Sequence, residues 1–454
     1  WEMASGWGGA RGPEFPVGGI GHTGFTGTSL WIDFASRTAV IILTSRVHPD
    51  GRGDASRLRA EVSAIVGRAV RAPLDGKPVL TGIEVLRRDG YRALAGRTVG
   101  LITNASGVDR QGKTTAELLR GAPGVKLVAL FTPEHGLGTD LEGPHHDTHD
   151  PRTGLPVFSL YGPRAAPSAR QLGEIGIDTL VWDVQDVGTR FFTYACTLRH
   201  ALSSAARRNL KFVVLDRPPP DGADDVEGPV GQVVDGSITS CLPVPVRYGM
   251  TPGELATFLR EGDASGADVS VVRMDGWKRG TPFERTGLKW VRPSPNLPTP
   301  HGARLYPGIA LLETTNVSVG RGTDLPFEQV GAPWLRSHAL ADALEARNLP
   351  GVRFAPVRFT PSRRTYAGQE CTGVRILVVE PEVVEPVRIG VAFAVELTRL
   401  HREAWNRAEL PMLIAHKPTC EAIERGDDAD AIVASWKGGE GEFPAKREKA
   451  LLYR

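Results

Sequence analysis

Three short apolar runs in this sequence end in residues able to do acid–base chemistry. One closes in Thr132-Pro133-Glu134-His135-Gly136. A second closes in Asp183-Val184-Gln185-Asp186-Val187-Gly188-Thr189-Arg190, followed by Phe191, Phe192 and Tyr194. A third closes in Asp216-Arg217-Pro218, with Glu227-Gly228-Pro229 shortly after. Carboxyl groups beside arginines and aromatic rings are the equipment of a sugar site. Aromatic faces stack on the ring, Arg and Asp bind hydroxyls or a carboxylate, and a pair of carboxyls handles the proton transfers of acetal cleavage. Each residue also has a structural reading. Glu134 can cap a turn, Asp183 and Asp186 can hold turn amides, Asp216 and Arg217 can pair internally, Glu227 can be a turn residue, and His135 can support rather than react. The coincidence of such groups at three successive strand ends favours a site.

The elements that would position them are legible. "GRTVGLITN", "VKLVALFTPEHG", "LPVFSLYG", "IDTLVWDVQDVG" and "LKFVVLDRPPP" are near-continuous apolar strands. Helical patterns such as "GKTTAELLRG" and "CTLRHALSSAARRN" alternate with them. This is the signature of an α/β fold, a Rossmann-like parallel sheet covered on both faces. Ligands of such sheets bind outside the carboxyl ends of the strands, where all three motifs lie. No GxGxxG follows the first strand, so no dinucleotide and no other cofactor is expected. The Pro-rich "WVRPSPNLPTPHGARLYPG" (residues 290–308) marks a crossing into a smaller α+β domain with elements such as "CTGVRILVVE" and "VRIGVAFAVELTRLHREAW". The expected organisation is a linker over 73–80, a Rossmann-like catalytic domain over 81–300, and an auxiliary domain over 301–454 that closes the cleft.

Bulk properties exclude other classes. The 454 residues are 41% hydrophobic and 23% charged, with a net charge of +2. That is an ordinary globular composition without the basic surplus of a nucleic-acid partner, and no apolar run is long enough to span a membrane. The cysteines Cys196, Cys241, Cys371 and Cys420 form no CxxC pair. His135, His145, His146 and His149 crowd one loop without helical spacing, so no metal is expected. No feature specifies an oligomeric state. Ahead of the linker, "GGIGHTGFTGTSLWID" (residues 18–33) carries a His-Thr-Gly triplet on a hairpin pattern, followed by the helical "SRLRAEVSAIVGRAVRA". A serine acyl hydrolase also needs a nucleophilic Ser with Lys one turn later, and Ser-x-x-Lys is absent.

These motifs in this order resemble a known family. "FTPEHG", "TGLPVFSLYG", "DVQDVGTRFFTY", "LDRPPP…VEGP", "PVRYGMTPGELA", "WVRPSPNLPT", "YPGIALLETTNVSVGRGTDLPFEQVGAPW" and "CTGVRILV" look like the DUF1343 family, which includes the NamZ-like exo-β-N-acetylmuramidases (glycoside hydrolase family 171). The resemblance covers roughly residues 79–454. Some members follow a serine β-lactamase-like domain, so residues 1–72 are read as the closing part of such a domain, without its nucleophile. Two departures stand out: the loop "LGTDLEGPHHDTHDP" after the PEHG motif, and "DRPPPDG" where Asn is expected before Pro.

The resemblance implies release of N-acetylmuramic acid from the non-reducing end of peptidoglycan fragments (MurNAc-GlcNAc), and hence a secreted or periplasmic bacterial protein. It places the catalytic glutamate on Glu134. It makes Asp186 the candidate second carboxylate, as base or electrostatic stabiliser. It brings His135, Asp183, Arg190, Tyr194, Asp216, Arg217, Glu227, Asn296, Glu313, Asn316, Arg321 and Thr323 to the substrate. Arg190 or Arg321 would receive the lactyl carboxylate, which a guanidinium fork matches. The rival readings are a non-catalytic muropeptide-binding module serving an upstream hydrolase, and a deacylase acting through a remote His-Asp pair.

Overall fold

Alternation within the apolar runs sets the architecture. The computed structural model describes residues 2–3, 20–33, 37–48, 53–70, 78–143, 145–162, 165–234, 236–261, 264, 266–439 and 441–454. At the N-terminal end, β1 (Glu2–Met3), β2 (Ile20–Thr23), β3 (Ser29–Asp33) and β4 (Thr38–Ile42) form an antiparallel sheet in that order. Helix α1 (Ser56–Val70) lays Val62 and Val66 on Trp31, Val40 and Ile42. Most of the expected linker lies outside the described residues. Val79 and Leu80, assigned to it by sequence, belong to the following domain: Val79 packs with Trp277, and Leu80 bridges to Asp275.

The central sheet contains β5 (Thr98–Thr103), β6 (Lys126–Thr132), β7 (Thr148–His149), β8 (Pro156–Ser159), β9 (Thr179–Asp183), β10 (Lys211–Leu215) and β11 (Asp268–Val272). Its order is β11-β10-β9-β5-β6-β8-β7, parallel except for the short edge strand β7. Side chains alternate between two dry layers, as the pleat requires. Leu101, Leu130, Val181 and Val213 face α2 (Gly82–Arg88) and α3 (Thr115–Arg120). Ile102, Phe131, Trp182 and Val214 face α4 (Ala169–Ile175), α5 (Thr193–Ala206) and α6 (Pro252–Arg260). The chain builds β6 and β8 on one side of β5, then crosses to build β9, β10 and β11 on the other. The strand order therefore reverses between β5 and β9, the kind of switch point at whose carboxyl ends such sheets bind their ligands. The disulfide Cys196–Cys241 ties α5 to the loop ahead of α6. Their spacing of 45 residues gave no sign of this pairing.

The second domain comprises α7 (Pro300–Ile309), the antiparallel sheet of β12 (Gln329–Ala332), β13 (Val352–Phe359) and β14 (Cys371–Val378) in order β12-β14-β13, and the helices α8 (Ser337–Glu345) and α9 (Pro386–His401) among others. Its core is continuous with the α5 face of the first domain. Helices α7 and α9 meet backbone to backbone: a Cβ on Gly308 would lie 1.6 Å from the Pro386 carbonyl oxygen. That contact fixes α7, whose Tyr306 packs against Phe191 and Phe192 of the first domain at 5.6 and 5.8 Å. The second domain ends by reaching back across the interface. Its tail returns to the first, where Tyr453 donates to Asp216 at 2.6 Å and the Leu452 amide to Glu254 at 2.8 Å.

Candidate active site

Pro133 ends the β6 ladder because it has no N–H to donate. His135 then takes φ +75°, and its Nδ1 lies 2.8 Å from the Leu141 carbonyl oxygen, folding the following loop back on itself. Between these two turns stands Glu134, part-exposed at the carboxyl end of β6. The Thr193 hydroxyl donates to its carboxylate at 2.7 Å, and the Tyr161 hydroxyl lies close enough to feel its charge. The Glu134 backbone carbonyl lies 3.1 Å from the Tyr194 hydroxyl, which it shares with the Pro293 carbonyl at 2.5 Å and which accepts from Asn104 at 3.1 Å. Thr193 is the first residue of α5, so the positive end of that helix also faces the carboxylate. Burial, and then the charge of Glu134, pushes the Tyr161 hydroxyl up to about 12, so it stays a donor at neutral pH.

Asp186 lies behind this group. The Tyr248 hydroxyl and the Gly188 amide donate to one of its oxygens. The other oxygen is buried and has no partner among the described residues. Burial raises its pKa despite these donors. Glu134, Arg321 and Asp186 all act electrostatically on Tyr306, so the three share one neighbourhood.

Burial removes several expected residues from the crevice. Arg190 is 0% exposed and spends its guanidinium on four backbone carbonyls, those of Pro229, Val244, Leu413 and Ile414. It staples the two domains and has no surface for a substrate carboxylate. Asp183 and Arg217 pair with each other, and Thr115 donates to Asp183 as well. Asp216 collects Thr251, the Gly253 amide and Tyr453. Glu227 pairs with Arg247 at 2.7 Å and accepts from the Val387 amide. Tyr194, Phe191 and Phe192 are packed in an aromatic cluster with Tyr306, so they support the floor instead of stacking on a sugar. Asn316 is tied to the turn at Ala404 and Asn406, and Thr323 closes its own turn onto Gly320. His135 shapes the loop. In each case a polar side chain at a strand or loop end was better satisfied by the protein than by a ligand.

Glu313, Arg321 and Asn296 do gather at the crevice, at its second-domain side. Arg321 pairs with Glu313, and the Asn296 amide oxygen, turned toward Arg321, accepts from it at 3.0 Å. Glu142 joins them, together with Arg363 and Arg364. The sequence reading missed Glu142, Arg363 and Arg364, and also Tyr161, Thr193, Tyr248 and Tyr306. Tyr161 and Thr193 sit inside the quoted motifs "TGLPVFSLYG" and "DVQDVGTRFFTY", so their position was available. The arginine pair carried no local signal. Among the described residues no group of three metal-ligating side chains gathers.

A family model described as exo-beta-N-acetylmuramidase NamZ, N-terminal, matches residues 99–301, and its C-terminal counterpart matches residues 304–453. The peptidoglycan beta-N-acetylmuramidase NamZ of Bacillus subtilis (strain 168) is 38% identical over 380 residues, which cover 83% of this chain and 91% of that protein. Two crystal structures of DUF1343 family proteins from Bacteroides fragilis NCTC 9343 are also similar, each covering 83% of this chain and 99% of its own. One has a TM-score of 0.77 at 35% identity and the other 0.66 at 28%.

Proposed function

The chain belongs to the NamZ family of exo-β-N-acetylmuramidases, and from that premise we propose that Glu134 is the acid that cleaves the glycosidic bond. The enzyme is a glycosidase of peptidoglycan turnover. It releases N-acetylmuramic acid from the non-reducing end of fragments such as MurNAc-GlcNAc, and the resemblance of its motifs supports a place in glycoside hydrolase family 171. One observation carries the choice of Glu134. Asp183, Glu227 and Glu313 are each paired with an arginine, and Asp186 and Asp216 are buried. Glu134 alone of these carboxylates is part-exposed and has no ion-pair partner among the described residues. Acetal cleavage needs a proton on the departing oxygen, and only a group that reaches the substrate can deliver it. Thr193 fixes the carboxyl without neutralising it. Asp186, behind the floor, acts through Tyr248 and the local field, as a positioning group and not as a base in contact with water.

Supporting the extracellular reading, the Cys196–Cys241 disulfide suits a secreted or periplasmic protein, because the cytosol keeps thiols reduced. We read residues 1–72 as the closing part of a serine β-lactamase-like fold. An antiparallel sheet covered by one helix, with His22 and Thr23 at the end of β2, supports that reading. Lacking Ser-x-x-Lys, it has no acyl chemistry of its own, and nitrocefin turnover by this chain would overturn that statement. The glycosidase assignment is tested with a chromogenic N-acetylmuraminide and MurNAc-GlcNAc. Single N-acetylmuramic acid units should appear while cross-linked sacculi stay intact. Binding of the disaccharide with no turnover would favour the non-catalytic module, and internal cleavage of sacculi would show an endo enzyme.

A further inference from the structure

The loop that follows Glu134 crosses to the second domain and is held there by one carboxylate. Glu142 lies 2.6 Å from Arg364, 3.5 Å from Arg321 and 3.9 Å from Arg363. Among the described residues the only other carboxylate ion-paired in this group is Glu313, which pairs with Arg321. Three guanidinium groups therefore face two carboxylates, and the side chains of Arg363 and Arg364 are 50% and 48% exposed. Donors remain for a second anion.

Tertiary structure brings these arginines together across more than forty residues of sequence. The Ser362 amide and hydroxyl both donate to the Gly322 carbonyl, at 2.8 and 2.7 Å. Gly322 has φ +85°, and a Cβ there would lie 2.6 Å from the Arg363 carbonyl oxygen, so only glycine lets the two loops touch. Beyond that contact Arg364 and Tyr366 take φ +66° and +63°, a left-handed turn at two non-glycine residues. Such strain is kept where it aims a side chain. The cluster faces the same crevice as the acid: Tyr161 feels the charges of both Glu134 and Arg364, and Tyr306 those of both Glu134 and Arg321.

We propose that Arg321, Arg363 and Arg364 form the carboxylate-recognition site of this crevice, and that Glu142 is its resident occupant in the free protein, displaced from Arg364 by a carboxylate of the substrate. The inference rests on the glycosidase reading. The arriving group is the lactyl carboxylate of muramic acid or an acidic group of a stem peptide attached to it. Both offer the planar anion that an arginine fork binds.

The test compares three chromogenic substrates: the free N-acetylmuraminide, its lactyl methyl ester, and its lactyl-linked L-Ala-D-Glu derivative. The wild-type enzyme should show a KM for the ester at least tenfold above that of the free acid. Arg364→Gln should raise KM for the free acid by roughly 10- to 100-fold, the worth of a charge-assisted hydrogen bond, with kcat little changed and the ester unaffected. Glu142→Gln keeps the size and hydrogen bonding of the occupant but not its charge. It should lower KM for the free acid a few-fold and leave the ester alone. Preference for the dipeptide derivative over the free acid, lost in Arg364→Gln, would identify a stem carboxylate as the ligand. Equal effects of either variant on acid and ester would overturn the proposal, since a merely structural latch treats both alike. If no substrate turns over, the glycosidase reading fails separately. Calorimetric binding of N-acetylmuramic acid and its methyl ester then decides the carboxylate site: weaker binding of the acid, but not of the ester, by Arg364→Gln upholds it, and equal binding refutes it.

Discussion

Glu134→Gln separates chemistry from architecture. The glutamine keeps one acceptor oxygen, so the Thr193 hydroxyl, which now donates to the carboxylate at 2.7 Å, can either go on donating to it or turn to accept from the new amide. A hydroxyl both donates and accepts, so the change costs at most one neutral hydrogen bond, about 0.5–1.5 kcal/mol. The backbone anchor from Tyr194 to the Glu134 carbonyl is untouched. In a chain of this size the melting temperature should fall by no more than about 2–4 °C. Turnover should fall far more. General acid help is worth about 10²–10⁴-fold, or roughly 3–5 kcal/mol of barrier. The loss should be large on MurNAc-GlcNAc, whose sugar alkoxide leaves poorly. It should shrink on an aryl N-acetylmuraminide whose acidic phenol leaves without a proton. Measuring both rates beside the melting temperature decides the matter. Equal losses on the two substrates, accompanied by a markedly lower melting temperature, would refute Glu134 as the acid and make it a turn residue.

Two further outcomes follow from the buried polar groups. Arg190→Lys leaves at least one of its four carbonyls, two of them in the second domain, without its donor, so it should cost about 2–3 kcal/mol of stability while KM for the free acid substrate stays unchanged; a raised KM at unaltered stability would return Arg190 to the substrate. For Asp216, burial raises the pKa from 3.8 to about 6. The folded protein therefore holds this proton more tightly than the unfolded chain, and the group's contribution is complete below 3.8 and lost as the pH rises through about 6. Tyr453→Phe removes a donor to the charged form. It should destabilise by about 1.5–3 kcal/mol near pH 8 and by about 0.5–1.5 kcal/mol near pH 5, read as melting temperatures at both; a pH-independent loss would show that Asp216 does not titrate in that range.

The sequence by itself determined the α/β layout and set Glu134, Asp183 and Asp216 at the carboxyl ends of its strands. Strands that bury both faces must be apolar through their middle, as "LVW" of β9 is, and the polar residue that closes such a run must stand at the sheet's edge. Those rules are local, so they can be read without coordinates. Residue type alone could not separate Glu134 from Asp183, Asp216 or Glu227, which share its chemistry and its place after a strand. Only tertiary structure decided that Arg217 neutralises one, that the returning tail covers another, and that Arg247 holds the third. It likewise turned Arg190 from a ligand group into a staple, because four carbonyls distant in sequence converge on it. The meeting of Glu142 with Arg321, Arg363 and Arg364 belongs to the same class. Nothing within a few residues of any of them encodes the others. Their association depends on one glycine contact between two loops and on how the second domain packs against the first, and those are settled by the burial of distant surfaces, not by local periodicity.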